Sequence, residues 1–170
     1  MATLNDRAYS FYSDEASPLF KAGRTFRSFK KLSIPGNSTY VVKIVIPAPV
    51  YFTKFDLSVA TSTLDVETVT GGAEGGTFND SWPLIKLNLT KPTPYVVQTS
   101  LVGGGTHTGG TVIDYSGVKT DGNATRGSSI IERDESIRGI APGTYYWRFI
   151  NSAADVLTGS VKVEWEEPIL

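Results

Sequence analysis

The chain has no cysteine, one histidine and one methionine. Without cysteine there is neither a disulfide framework nor a thiolate metal site, and a lone histidine excludes a His-rich metal centre and any two-histidine relay. Such a composition suits assembly in a reducing cytoplasm. Charge is scarce as well: charged residues make up 19% and the net charge is −1, against about 25% in typical globular domains. No polyanionic partner is expected from that balance, so nucleic acid is not an expected ligand. No apolar run approaches the roughly 18 residues of a spanning helix, and Met1 to Asp6 is polar, so neither a membrane anchor nor a signal peptide is expected. Long Ala/Leu/Glu/Lys stretches are missing too, which leaves no candidate for a long helix.

What is present favours sheet. The 170 residues fit one domain, and a domain of that size buries roughly 70% of its unfolded surface. Seventeen glycines and nine prolines punctuate runs rich in Val, Thr, Ile, Tyr and Phe. After the turn Pro35-Gly36-Asn37, the residues Tyr40, Val42, Ile44 and Ile46 alternate with Val41, Lys43 and Val45, the pattern of a central strand. Tyr51, Thr53, Phe55, Leu57 and Val59 alternate with Phe52, Lys54, Asp56 and Ser58, and a shorter alternation covers Leu64 to Glu67. The glycine-rich stretch Thr70 to Thr77 reads as a loop, and Gly103 to Gly105 as a second interruption before His107. Thr111 to Tyr115 reads as a short strand, and residues 116–129 as the least structured part of the domain. Thr144 to Ile150 and Leu157 to Trp165 read as the two arms of a hairpin closed by Asn151 to Asp155. About eight strands, short turns and no helical crossovers imply an all-β, antiparallel two-sheet sandwich of jelly-roll type. Residues 26–170 form that single domain, and residues 1–25, which lack a clean period, form an extended N-terminal arm.

The candidate contact residues come from the arm and from one strand. Tyr9, Phe11, Tyr12 and Phe20 are aromatic side chains able to bury about 150–250 Å² each on a neighbouring subunit. Arg24 and Arg27 belong to a basic run from Lys21 to Lys31 interleaved with Phe26 and Phe29. Such a run can mean nucleic acid, but a largely solvated first strand with an inward Phe is the simpler reading. On the strand from Thr144, both rows are aromatic or apolar: Tyr145, Trp147 and Phe149 on one, Tyr146, Arg148 and Ile150 on the other. Both cannot face one core, so the row of Tyr146 and Arg148 is either an exposed contact patch or covered by the arm.

Chemistry finds little to stand on. His107, in Thr-His-Thr-Gly-Gly, reads as a solvated loop residue. The carboxylate pairs Asp134/Glu135 and Glu164/Glu166 are weak candidates for acid–base work, because Glu164 and Glu166 share one strand's solvent face. Gly-Gly-Ala-Glu-Gly-Gly-Thr lacks the Lys-Ser/Thr ending of a phosphate loop. Asp121-Gly122-Asn123 lacks the further acids of a calcium loop and reads as a turn. The Asn-x-Ser/Thr triplets at Asn37, Asn79, Asn88 and Asn123 read as turn residues without a secretory route. No catalytic set, metal or cofactor is expected, and the chain is read as a non-enzyme.

Several stretches together resemble a group of tailed-phage virion proteins of similar length. They are Ile34-Pro-Gly-Asn-Ser-Thr-Tyr-Val-Val-Lys43, Gly71 to Phe78, Gly104 to Gly110, Gly143-Thr-Tyr-Tyr-Trp-Arg148 and Trp165-Glu166, spanning roughly 30–167. The nearest in size and class are jelly-roll capsid decoration, or cement, proteins. The resemblance implies a dimer or trimer seated across capsomer junctions on the virion surface, made in the host cytoplasm and bound to the major capsid protein or another virion protein. Jelly rolls also serve as tail or receptor-binding tips and as carbohydrate-binding modules, so the fold leaves that alternative open.

Overall fold

The structure is a computed structural model that describes residues 19, 22–60, 63–89, 95–118, 127–131 and 138–168. Within these the strands are β1 (Thr25–Ile34), β2 (Ser38–Ile46), β3 (Val50–Val59), β4 (Leu64–Thr70), β5 (Ala73–Ser81), β6 (Ile85–Lys86), β7 (Ser100–Thr108), β8 (Thr111–Val118), β9 (Gly127–Ile131), β10 (Arg138–Ile140), β11 (Gly143–Asn151) and β12 (Leu157–Glu166). They form two antiparallel sheets. Sheet A has the order β10-β3-β12-β1-β6, with β9 also paired to β3, and sheet B has the order β5-β7-β2-β11-β4-β8. The expected all-β two-sheet sandwich is what the chain adopts.

The strand order is that of a jelly roll with one insertion. Set aside β5 to β7 and take β9 and β10, both on the same strand, as one interrupted position. The sheets then read first-eighth-third-sixth and second-seventh-fourth-fifth. The insertion, residues 71–110, continues past the β1/β2 edge: β6 extends sheet A beyond β1, and β7 with β5 extends sheet B beyond β2.

Alternation fills the space between the sheets. Val42, Ile44 and Ile46 of β2 and Trp147 and Phe149 of β11 face Leu157, Val161, Val163 and Trp165 of β12, and all are buried. One alternation is broken. On β3, Trp165 pairs with Phe52 and Glu164 with Lys54, so Thr53 is an extra residue. A bulge of this kind flips the side chains that follow it to the other face. Phe52 and Phe55, which simple alternation assigns to opposite faces, therefore both meet Trp147 edge-on, at 6.0 and 5.3 Å between ring centroids.

Three expectations about connections need correction. The first concerns Thr70 to Thr77, which is not a loop: only Gly71 and Gly72 turn, and Ala73 onward is strand β5. The glycines at 103–105 likewise lie inside β7. They are glycine for steric reasons, since a Cβ on Gly103 would stand 1.7 Å from the Tyr40 hydroxyl and one on Gly105 2.7 Å from the Phe78 ring. Finally, β11 and β12 are not a hairpin. The first pairs with β2 and β4 in sheet B and the second with β1 and β3 in sheet A, so Ser152 to Val156 crosses between sheets. Asn151 holds that crossing by donating its side-chain amide to the Pro35 and Asp155 carbonyls at 3.0 and 2.8 Å. Stacked on it is the β1–β2 turn, where Asn37 N–H donates to the Ala153 carbonyl at 2.8 Å.

The insertion begins and ends as one ribbon. The pair β4/β8 reaches Gly71-Gly72 on one strand and Gly109-Gly110 on the other, and all four glycines have positive φ, between 67° and 89°. There the ribbon folds back and continues as β5/β7, with Ala73 opposite Thr108. Glycine suffices at this fold because an L side chain in that region costs about 1–2 kcal/mol. Gly110 is under a further constraint, as a Cβ there would lie 2.6 Å from Val69, whereas Gly109 has nothing within 4 Å. Gly109→Ala is expected to lower the unfolding free energy by about 1 kcal/mol and Gly110→Ala by about 3 kcal/mol, read by urea denaturation. Equal losses would mean that Gly110 is not in contact with sheet B.

Candidate functional site

The fold-back ribbon decides what the outer face of sheet B presents. On that face Tyr146 lies between Lys43 and Val69, and Arg148 between Val41 and Glu67. Val41, Val69 and Tyr146 are nonetheless buried, with Val69 fully inaccessible. Above them lies the ribbon. The His107 ring stacks on Tyr146 at 3.9 Å, and its Nε2 donates to the Gly71 carbonyl at 2.7 Å. Glu74 accepts from Lys43 at 2.7–2.9 Å and also from the Tyr146 hydroxyl. Arg148 pairs with Glu67 at 2.6 Å and donates to the Gly109 carbonyl at 3.3 Å. The row containing Tyr146 and Arg148 is thus not an exposed patch: the glycine-rich ribbon lies over it. His107 is correspondingly buried rather than a solvated loop residue.

The electrostatics of the cluster are those of a clamp. Hydrogen bonds from Lys43 and Tyr146 hold the Glu74 carboxyl below its ordinary range. Burial and the bond to Glu74 push the Tyr146 hydroxyl up to about 12. Neither group is poised to exchange a proton near neutrality. A second clamp closes the β1/β2 edge, where Asp80 accepts from Lys30 and, at 2.7 Å, from the Tyr40 hydroxyl. Trp82 Nε1 donates to that same hydroxyl at 3.2 Å. Those bonds, from Lys30 first and then Tyr40, hold the Asp80 carboxyl low.

The third cluster joins the two ends of the described chain. Glu167 is buried and accepts from the Gln98 and Thr99 N–H groups, the Tyr95 hydroxyl and Trp165 Nε1, at 2.7–3.1 Å. Arg24 lies 3.8 Å over the Tyr95 ring and donates to the Glu167 and Pro168 carbonyls at 2.7 and 2.6 Å. Arg24 and Thr25, which pairs with Glu166, are thereby built into the sandwich. Beside them opens a cleft of about 410 Å³ lined also by Pro47, Pro49 and Val50. Its one carboxylate is saturated with donors. A second, apolar space of about 70 Å³ lies between the sheets under Phe52, Phe55, Tyr145 and Trp147, well below the roughly 300 Å³ of ordinary ligand clefts.

Of the remaining expected contacts, Arg27 lies on the outer face of sheet A, paired with Glu164 at 2.6 Å. Tyr9, Phe11, Tyr12 and Phe20 lie outside the described residues, as do Asp134/Glu135 and Asp121 to Asn123. Among the described residues no three His, Asp or Glu side chains are grouped as metal ligands, and no helix is long and apolar enough to cross a membrane. Sequence reasoning missed Glu167 and Glu74. Glu74 stands alone among glycines, which was the available signal; Glu167 carries none. Compared with models of protein families, with curated proteins and with solved structures, the chain matches none.

Burial raises the Glu167 carboxyl, but the hydrogen bonds from Gln98, Tyr95 and Thr99 outweigh it and hold the group below its ordinary range. Folding therefore favours the ionised form, and this contribution is present above the unfolded value near 4.5 and lost as pH falls through the lower folded value. Glu167→Gln is expected to cost about 2 kcal/mol at neutral pH and to flatten the fall in Tm between about pH 5 and pH 3. A variant with the parent's Tm at both pH values would show that Glu167 does not join the chain ends.

Proposed function

We propose that this protein is a structural virion component of the capsid-decoration type, acting as an oligomer through its surfaces and without catalysis. The observation that carries the reading is where polar and apolar groups are placed. Glu74, Asp80, Glu167, Arg24 and Arg148 are all engaged in bonds that hold the fold together. The exposed apolar side chains of the described residues, by contrast, include Phe29 of β1, Ile85 of β6 and Leu84 and Leu89 flanking β6. Arg27 stands directly opposite Ile85, which makes Phe29 a diagonal neighbour on the same face. An apolar strip of this kind at a sheet edge suits contact with another protein. The partner class, the major capsid protein or another protein of the particle, is taken from the resemblance of the sequence stretches named above to phage virion proteins.

As such a component the protein stabilises a shell by mass action. A copy that binds only the assembled lattice contributes about 2.7 kcal/mol at a hundredfold excess over Kd, multiplied over many sites. The test is the absolute mass of the purified protein by light scattering, followed by co-sedimentation with phage heads. A dimer or trimer that sediments with heads in simple stoichiometry is the expected result. A protein that ignores heads but is retained on a polysaccharide or cell-surface column would overturn the reading in favour of a receptor-binding or sugar-binding module.

A further inference from the structure

Among the described residues, no strand pairs with the outer side of β1 beyond Arg27. β1 pairs with β12 along its whole length, Thr25↔Glu166 to Ile34↔Leu157. On its other side, among the described residues, Phe26 and Arg27 pair with β6 and Thr25 bonds just beyond it to Leu87. The direction of the backbone groups follows from two bonds at its start. Arg24 O accepts from Glu167 N–H on the β12 side, and Thr25 O accepts from Leu87 N–H on the β6 side. Alternation then aims the N–H and C=O groups of Phe29, Lys31 and Ser33 at the β6 side, where no described strand continues. All three residues are exposed, Phe29 by 49%.

Such an edge is a template for another strand unless something blunts it. The edge strands of sheet B are protected: β5 is broken by two register shifts, and β8 carries one of its own. β1 has no shift against β12 and is guarded only by lysine. Lys30 is paired with Asp80, and Lys31 remains exposed. Two β1 edges placed together would oppose like charges, so the edge selects an acidic strand over its own copy.

The chain contains such a segment. Residues 9–15 read Tyr-Ser-Phe-Tyr-Ser-Asp-Glu, in which an apolar alternation, Tyr9 and Phe11, is followed by the acids Asp14 and Glu15. Residues 1–18 are long enough to span roughly 60 Å when extended. They join the body at the turn where Arg24 N–H donates to the Leu19 carbonyl, at the beginning of β1. β6 occupies the positions beside Phe26 and Arg27 on that side, at the end of β1 nearest Leu19.

We propose that the open edge of β1, at Phe29, Lys31 and Ser33, receives residues 9–15 of a neighbouring copy as an added strand of sheet A. This deepens the oligomeric part of the function proposed above and rests on it. It is tested on purified protein without phage heads, so its failure leaves the co-sedimentation result standing. The chain has no cysteine, which makes directed cross-linking unambiguous. Full-length Phe11→Cys and Phe29→Cys proteins are mixed under mild oxidation, with Phe11→Cys and Val156→Cys as the control pair, since Val156 is as exposed as Phe29. Expected is a disulfide between the two chains at least tenfold above the control. Amide exchange at Phe29, Lys31 and Ser33 is expected to be at least tenfold slower in the parent than in a variant carrying Asp14→Lys and Glu15→Lys. Cross-linking at the control level, or rapid exchange at those three amides in the parent, would overturn the proposal. So would slow exchange without any inter-chain disulfide, because a chain's own arm would then fill the edge.

Discussion

A strand in the middle of a sheet has two faces, and β11 carries large side chains on both. Trp147 and Phe149 fill the space between the sheets, while Tyr146 and Arg148 point the other way. A jelly roll built only of its eight basic positions would leave Tyr146, Val69 and Val41 in water, losing roughly 2 kcal/mol of burial for each large apolar side chain. The insertion removes that cost by folding a ribbon over its own sheet. Four glycines make the fold, and His107 and Glu74 fasten it. The same insertion then crosses the β1/β2 edge, where Trp82 enters the core and Asp80 closes over Tyr40 and Lys30. One segment thus seals a face and an edge.

The polar chemistry follows from that arrangement. Buried polar groups are costly unless satisfied, and satisfied ones cement the contacts they join. Glu167 ties β12 to β1 through Arg24 and to the return of the insertion through Gln98 and Thr99. Groups held this firmly are poor acids and bases. At the edge of sheet A, by contrast, Phe29, Leu84 and Ile85 are exposed, and most of β1 pairs with no described strand on its outer side.

Strands with two different faces were legible in the sequence. Val42, Ile44 and Ile46 against Lys43, and Val161, Val163 and Trp165 against Lys162 and Glu164, state their faces by alternation alone. Glycine has no side chain and so no face, which is why most of β5 and the glycine-bearing part of β7 lie in stretches that read as breaks between strands. The bulge at Thr53 was hidden for a related reason: a single extra residue reverses a pattern without changing its composition. The link between β11 and β12 looks like a hairpin because it is short. Its true course depends on Asn151 reaching the β1–β2 turn, more than a hundred residues away in sequence. Of the surface, the aromatic second face of β11 was visible as a problem, and its solution lay in the Gly-Gly pairs at 71–72 and 109–110.

The cover over sheet B is open to one direct measurement, because the chain has a single histidine and its ring signals stand alone in a proton NMR spectrum. With the His107 and Tyr146 rings stacked at 3.9 Å, the histidine ring protons should show strong nuclear Overhauser contacts to the Tyr146 ring and ring-current shifts away from free imidazole. Histidine resonances at free-imidazole positions without those contacts would mean that the ribbon does not lie on the sheet, and that the outer face of β11 is open.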